Sequence, residues 1–221
     1  MKSLSEDYSA NGYQLPSETS SIGYLQKLPL YDKVKPYILN IPVFPEDCYQ
    51  NVFMEYIHNI KISDIRPAKS LPTLDKNGFQ LVEHETSLSY DDFLDKKTIY
   101  EKYFPESEAL LKKATGASRV YIYEHQVRKR QGDKVDSPEH ATSQPLTGAH
   151  CDVSPQCLKG RVRLHMGREA ENLLQSRHQI INIWRPLKGP IKDFPLAVCD
   201  YNSIDVPKDF RKTDVIFPHF E

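Results

Sequence analysis

His150 and Asp152, separated only by Cys151 in the run Gly148-Ala149-His150-Cys151-Asp152-Val153-Ser154-Pro155, are the residues of this chain best placed to do chemistry. Side chains alternate along a β-strand, so an imidazole and a carboxylate two residues apart project from the same face. Joined by a second imidazole from elsewhere, they would make the facial set that holds non-haem ferrous iron and leaves positions open for oxygen and a co-substrate. Neutral imidazole and a hard carboxylate suit ferrous iron without any thiolate. Cys151, expected on the opposite strand face, is therefore not assigned to the metal. The plainer alternative is a surface histidine and a turn aspartate ahead of Pro155.

The chain around these residues has 221 positions, enough for one sizeable domain. Its 29 basic and 30 acidic residues nearly cancel, so its charge gives no reason to expect nucleic acid or an anionic membrane as partner. Mean hydropathy is -0.58, and no apolar run reaches the length of a membrane span. The opening residues Met1-Lys2-Ser3-Leu4-Ser5-Glu6-Asp7 lack the apolar stretch of a signal peptide. The cysteines, Cys48, Cys151, Cys157 and Cys199, form no CxxC pair, which fits reduced thiols and a cytoplasmic location. No Gly-x-Ser-x-Gly and no phosphate-binding glycine loop is present.

The elements that must position the pair follow from periodicity. Residues 1–20 are polar and read as a flexible lead-in, with one domain over 21–221. Pro29, Pro36, Pro42 and Pro45 favour extended segments over 21–50. Gln50 to Ile60 suits one short helix or strand, Leu71 to Asn77 a turn-bearing loop, and Phe79 to His84 a short strand. Ser89 to Phe104 predicts a helix opened by a Ser89–Asp92 capping box and stopped by Pro105; a second helix spans Glu106 to Ala114 and ends near Gly116. Arg119 to Val127 alternates and predicts a strand. Arg128 to Leu146 reads as an exposed loop, the His150 run as a strand, and Ala170 to Ser176 as a helix. Gln179 to Arg185 and Pro195 to Asp200 read as strands. Helices followed by short strands with Pro-rich connections predict an α+β fold with an antiparallel sheet or jelly roll.

Three runs in this order carry a family resemblance: Gly116 to His125 (GASRVYIYEH), His150-Cys151-Asp152, and Gln179 to Pro190 (QIINIWRPLKGP). They are followed by Asp193 to Asp200 (DFPLAVCD) and Thr213-Asp214. Together they resemble the fungal AsaB-type hydroxylase/desaturase family, relatives of the cephamycin methoxylase component, over residues 22 to 221. The resemblance implies a jelly-roll (double-stranded β-helix) sheet behind an N-terminal Pro-rich and helical extension. It also implies Fe(II) and 2-oxoglutarate as cofactors, His150 and Asp152 as metal ligands, and hydroxylation or desaturation of a small secondary metabolite.

The resemblance further implies that the family's distal histidine, and the basic residue for the 2-oxoglutarate carboxylate, lie in C-terminal strands beyond residue 221. The jelly roll is therefore expected to be incomplete. The alternative function is an inactive truncated remnant, or an auxiliary binding subunit of a metabolite pathway that a partner subunit completes. His219 stands at a separation from Asp152 that a third ligand could have, but in a stretch expected to be a loop. Arg185, Trp184 and His125 are candidates for cofactor or substrate contact. Their plainer alternatives are a surface cation, a core aromatic and a hydrogen-bonded strand residue. Tyr121 and Tyr123 are expected in the core, and His165 and His178 at the surface.

Overall fold

Ser89 and Asp92 form the expected reciprocal box at the start of the helical region. The Ser89 N–H and hydroxyl donate to Asp92 Oδ2 at 2.8 and 2.7 Å, and the Asp92 N–H returns to Ser89 Oγ at 3.4 Å. This is a computed structural model that describes residues 15–41, 49–68, 70–129 and 142–217. The backbone divides into two compact units.

The first unit draws on residues up to Leu81, on Thr147–Asp152, and on residues from Ala197 onward. It holds β1 (Ser17–Leu25), β2 (Tyr37–Leu39) and β3 (Met54–Ser63). β1 and β3 run antiparallel from Ser17 opposite Ser63 to Leu25 opposite Met54. The register shifts between Ser20 and Ile22, facing Asn59, whose φ is 60°. β1 opens at Ser17, within the stretch read as a lead-in. Leu71 to Asn77, expected as a loop, ends in the short helix α1 (Leu74–Asn77), closed by Gly78 at φ 80°. Asn77 is buried and donates to Asp200 Oδ2 at 3.0 Å, so Asp200 is a buried tie and not the end of a strand. Tyr31 is also buried; its hydroxyl donates to Asn51 O at 2.9 Å and accepts from Phe53 N–H at 3.1 Å.

The second unit takes Val82–Leu146 and Val153–Leu196. A 3₁₀ turn at Asp91–Leu94 leads to α2 (Lys96–Thr98), a π-helical turn at Ile99–Tyr103, and α3 (Phe104–Thr115). Pro105 thus does not stop the helix. It sits in the first turn of α3, where its missing N–H costs little, directly after the π turn that reshapes the hydrogen-bond ladder. Gly116 ends α3 at φ 71°. Leu88, Phe93 and Ile99 form the core, flanked by Tyr103, Phe104, Val127 and Leu187.

The strand expected over Arg119 to Val127 is corrected to β4 (Val127–Arg128), which pairs in parallel with β5 (Thr142–Ser143). Upstream of β4 the extended backbone meets aromatic partners instead of a neighbouring strand. Tyr121 and Tyr123 each lie 5.2 Å from the His165 ring. His165 is therefore half-buried and not a free surface group, and Tyr121 is more exposed than a core residue.

α4 (Pro155–Met166), capped by Ser154, precedes the expected helix, and α5 (Ala170–Leu173), after a 3₁₀ turn, occupies the first part of the Ala170 to Ser176 run. The runs 79–84, 179–185 and 195–200 carry no ladder among the described residues. Their apolar alternation favours an extended chain, but a ladder also needs a partner strand. In the first unit a further short helix, α6 (Val206–Asp209), precedes β6 (Asp214–Ile216), which pairs in parallel with β2. Among the described residues the strands thus form three two-stranded pairs.

Candidate metal-binding site

The His150 run is not a regular strand. It is an extended segment laid on β1 through one parallel bridge, Gly23 to Gly148. Ala149 N–H donates to Gly23 O at 2.8 Å, and Gly23 N–H to Thr147 O at 3.4 Å. Both bridge residues are glycines, set close to side chains of β3. A Cβ on Gly148 would come within 2.8 Å of Met54 Cε, and one on Gly23 within 3.2 Å of the Tyr56 ring. The Tyr56 hydroxyl lies 3.4 Å from Thr147 Oγ1, a further tie between β3 and the segment.

This segment brings the two predicted ligands together. His150 Nε2 lies 3.1 Å from Asp152 Oδ1, and the side chains are 48% and 50% exposed. His150 Nδ1 lies 2.8 Å from Gly148 O. A carbonyl oxygen only accepts, so Nδ1 carries a proton and Nε2 is the nitrogen turned toward the carboxylate. In the neutral ring that nitrogen offers a lone pair. Adjacent ligands of a divalent ion with bonds of about 2.1 Å and octahedral angles stand about 3.0 Å apart. The observed 3.1 Å fits one ion held by both atoms, and a backbone carbonyl fixing the remote ring nitrogen is the usual support for a ligating histidine. Among the described residues no third His, Cys, Asp or Glu gathers with this pair. His219 lies outside the described residues. Cys151 is exposed.

Arg185, Trp184 and His125 belong to the second unit, His150 and Asp152 to the first. Arg185 is engaged through all three of its donor groups. Nε donates to the Tyr103 hydroxyl at 3.2 Å, Nη1 to His84 O at 2.9 Å, and Nη2 to His84 Nδ1 at 2.5 Å. His125 stands edge-on to Tyr100 and Phe104, at 5.3 and 5.5 Å. Burial and then the nearby Lys96 push its imidazole below the ordinary value, against an opposing Glu124. Trp184 is 47% exposed, so it is not the core aromatic of the plainer expectation.

Two groups went unnoticed in the sequence. Gly23 supplies the backbone edge on which the ligand segment lies, and a lone glycine inside an apolar run was its only signal. Glu106 is the other. Its carboxylate accepts from the Ser87 N–H at 3.0 Å and the Ser87 hydroxyl at 3.2 Å. Burial pushes it up, but the Ser87 amide, the Thr86 and Ser87 hydroxyls and nearby His84 outweigh that and hold it below the usual carboxylate range.

Comparison with known proteins places this chain in a family. The model of the YDMC family, described as an oxidoreductase/YMDC permease-like domain, matches residues 22–221. Among the described residues no helix is long and apolar enough to cross a membrane. The chain is 36% identical over 141 residues to the alpha-ketoglutarate-dependent dioxygenase tstK of Talaromyces stipitatus, covering 63% of this chain and 50% of that protein. It is 36% identical over 168 residues to the hydroxylase/desaturase efuI of Hormonema carpetanum, covering 72% and 55%. The chain therefore spans about half the length of the curated relatives it matches. Among solved structures it is similar to the iron and alpha-ketoglutarate-dependent endoperoxidase NvfI, with a TM-score of 0.58 and 25% identity over 72% of this chain and 56% of that one. The chain is a homologue of these fungal enzymes and belongs to the YDMC oxidoreductase family.

Proposed function

We propose that this chain is the ligand-bearing portion of an Fe(II)- and 2-oxoglutarate-dependent oxygenase that hydroxylates or desaturates a small natural product. The observation that carries the reading is the His150–Asp152 pair, with donor atoms 3.1 Å apart and the imidazole fixed by Gly148 O. The names of tstK and NvfI support the cofactors, and that of efuI the hydroxylation or desaturation. The likeness to NvfI supports a double-stranded β-helix as the parent architecture; we read residues 21–221 as one oxygenase-like domain, nearly the stretch that the family match spans.

His150 and Asp152 would hold the iron; with dioxygen as the oxidant and 2-oxoglutarate as the donor of two electrons, ferrous iron would supply the oxidation chemistry that no protein side chain has. The chain's own residues orient and neutralise. Gly148 O keeps a proton on His150 Nδ1, so Nε2 remains a donor of electrons. Asp152 brings the negative charge that offsets a divalent ion. Trp184, about half exposed, is the residue we assign to substrate contact. Arg185 and His125 serve as framework, because their polar and ring contacts are already made within the second unit.

Anaerobic addition of Fe(II) and 2-oxoglutarate tests the reading. A weak visible charge-transfer band that disappears in Asp152→Ala is expected. A band of equal strength in that variant, or no band in the native protein, overturns it.

A further inference from the structure

We propose that His84 is a proton-operated latch on the segment bearing Trp184 and Arg185, exchanging Arg185 for Glu106 when its ring takes up a proton. The inference is independent of the metal site. Its basis is one ring nitrogen with two competing neighbours. His84 Nδ1 is 2.5 Å from Arg185 Nη2 and 3.7 Å from Glu106 Oε1. An arginine nitrogen can only donate, so Nδ1 accepts, His84 is neutral, and its proton sits on Nε2.

The second neighbour has one oxygen outside hydrogen-bond distance of any donor, although the Thr86 hydroxyl acts on the same carboxylate. Glu106 Oε1 is buried and has no hydrogen-bond partner among the described residues. Its sister oxygen Oε2 is occupied by Ser87. A buried acceptor without a donor is costly, and a nearby group able to gain a hydrogen would relieve that cost.

Proton uptake at Nδ1 changes both contacts. The nitrogen can no longer accept from Arg185, and an imidazolium then faces a guanidinium. The protonated nitrogen stands 3.7 Å from a carboxylate that holds its charge, since Glu106 is kept below the usual carboxylate range, and a turn of the ring away from Arg185 brings the two together. The proton comes from solvent and no other bond changes. The groups facing His84 are Arg185 from the segment 179–190 and Glu106 from the helical run 96–115, with Tyr103 of that run bonded to Arg185. Thr86 and Ser87 lie on its own segment.

In the latched form Arg185 donates three ways, to the Tyr103 hydroxyl, to His84 O and to His84 Nδ1. In the released form the third bond is lost and the chain beside Trp184 loosens. Trp184 is the sole tryptophan, so its fluorescence reports the change.

The test is the emission of Trp184 in the full chain between about pH 8 and pH 5, the range in which histidines commonly titrate. The native protein should show a single transition of one proton. His84→Asn keeps an acceptor for Arg185 but cannot charge, and should lose the transition. Glu106→Gln removes the anionic partner and should move it to lower pH. A flat native trace, an unchanged transition in His84→Asn, or an unmoved one in Glu106→Gln overturns the latch. Ring nitrogen NMR of the native protein decides independently of how the variants fold. A proton on Nε2 at pH 8, with the Arg185 side-chain signal moving together with the His84 ring, is expected. A proton on Nδ1 at pH 8 overturns the proposal.

Discussion

At His150 the backbone decides what the side chain can do. The Gly148 carbonyl accepts a hydrogen bond from the Nδ1–H, which leaves Nε2 beside Asp152. That pairing was readable from two letters and a spacing, because extended chain of any kind places alternate side chains on one side. The neighbours that fix the tautomer were not readable, since a carbonyl leaves no trace in the sequence. His125 gives a second residue-scale prediction. Its folded value is depressed from 6.5 by burial and by Lys96, so the neutral ring is favoured in the fold. For a depressed histidine the unfolded chain binds more protons, so its contribution is complete above pH 6.5 and is lost as pH falls through the lower folded value. His125→Phe keeps the ring contacts with Tyr100 and Phe104 and removes the titration. Denaturant unfolding across pH 7 to 5 should show a flatter acid limb than the native protein, and an equally steep limb would contradict the assignment.

At the scale of elements, helix ends explain what held and what did not. Gly116 closes α3 in the left-handed region, and Ser154 opens α4 by accepting from the Cys157 N–H at 3.2 Å. Ser154→Ala should cost about 1 kcal/mol through that lost cap, and Gly116→Ala about 1 kcal/mol through the strained backbone. Chemical denaturation measures both, and a change near zero in either denies the cap its role. Pro105 misled because the same residue that breaks a helix interior is welcome in a first turn. The runs around Tyr121, Ile181 and Val198 misled for another reason. Their β-branched and aromatic residues suit an extended backbone, but strands are defined by partners distant in sequence, and these runs have none among the described residues.

Over the whole molecule, the resemblance carried further than the periodicity. The ordered runs from Gly116 to Asp214 pointed to the oxygenase relatives, while composition alone gave only a mixed globular chain. The apolar surface is the most consequential global feature. Met54, Tyr56 and Ile57 on β3, and Val215 and Ile216 on β6, are all exposed. Exposed apolar strands favour association. Light scattering should show concentration-dependent self-association, reduced in Ile216→Lys; equal scattering by the two proteins would show that β6 takes no part.

The metal site itself is tested most directly by calorimetric titration of Mn(II), without oxygen or substrate, into the native protein and into the His150→Ala/Asp152→Ala double variant. Removing even supporting residues of a metal site typically costs about 10–100-fold in affinity, so loss of both ligands should weaken binding by at least about 100-fold. Saturable binding in the native protein that vanishes in the variant is the predicted result. Equal affinity in the two proteins would contradict it.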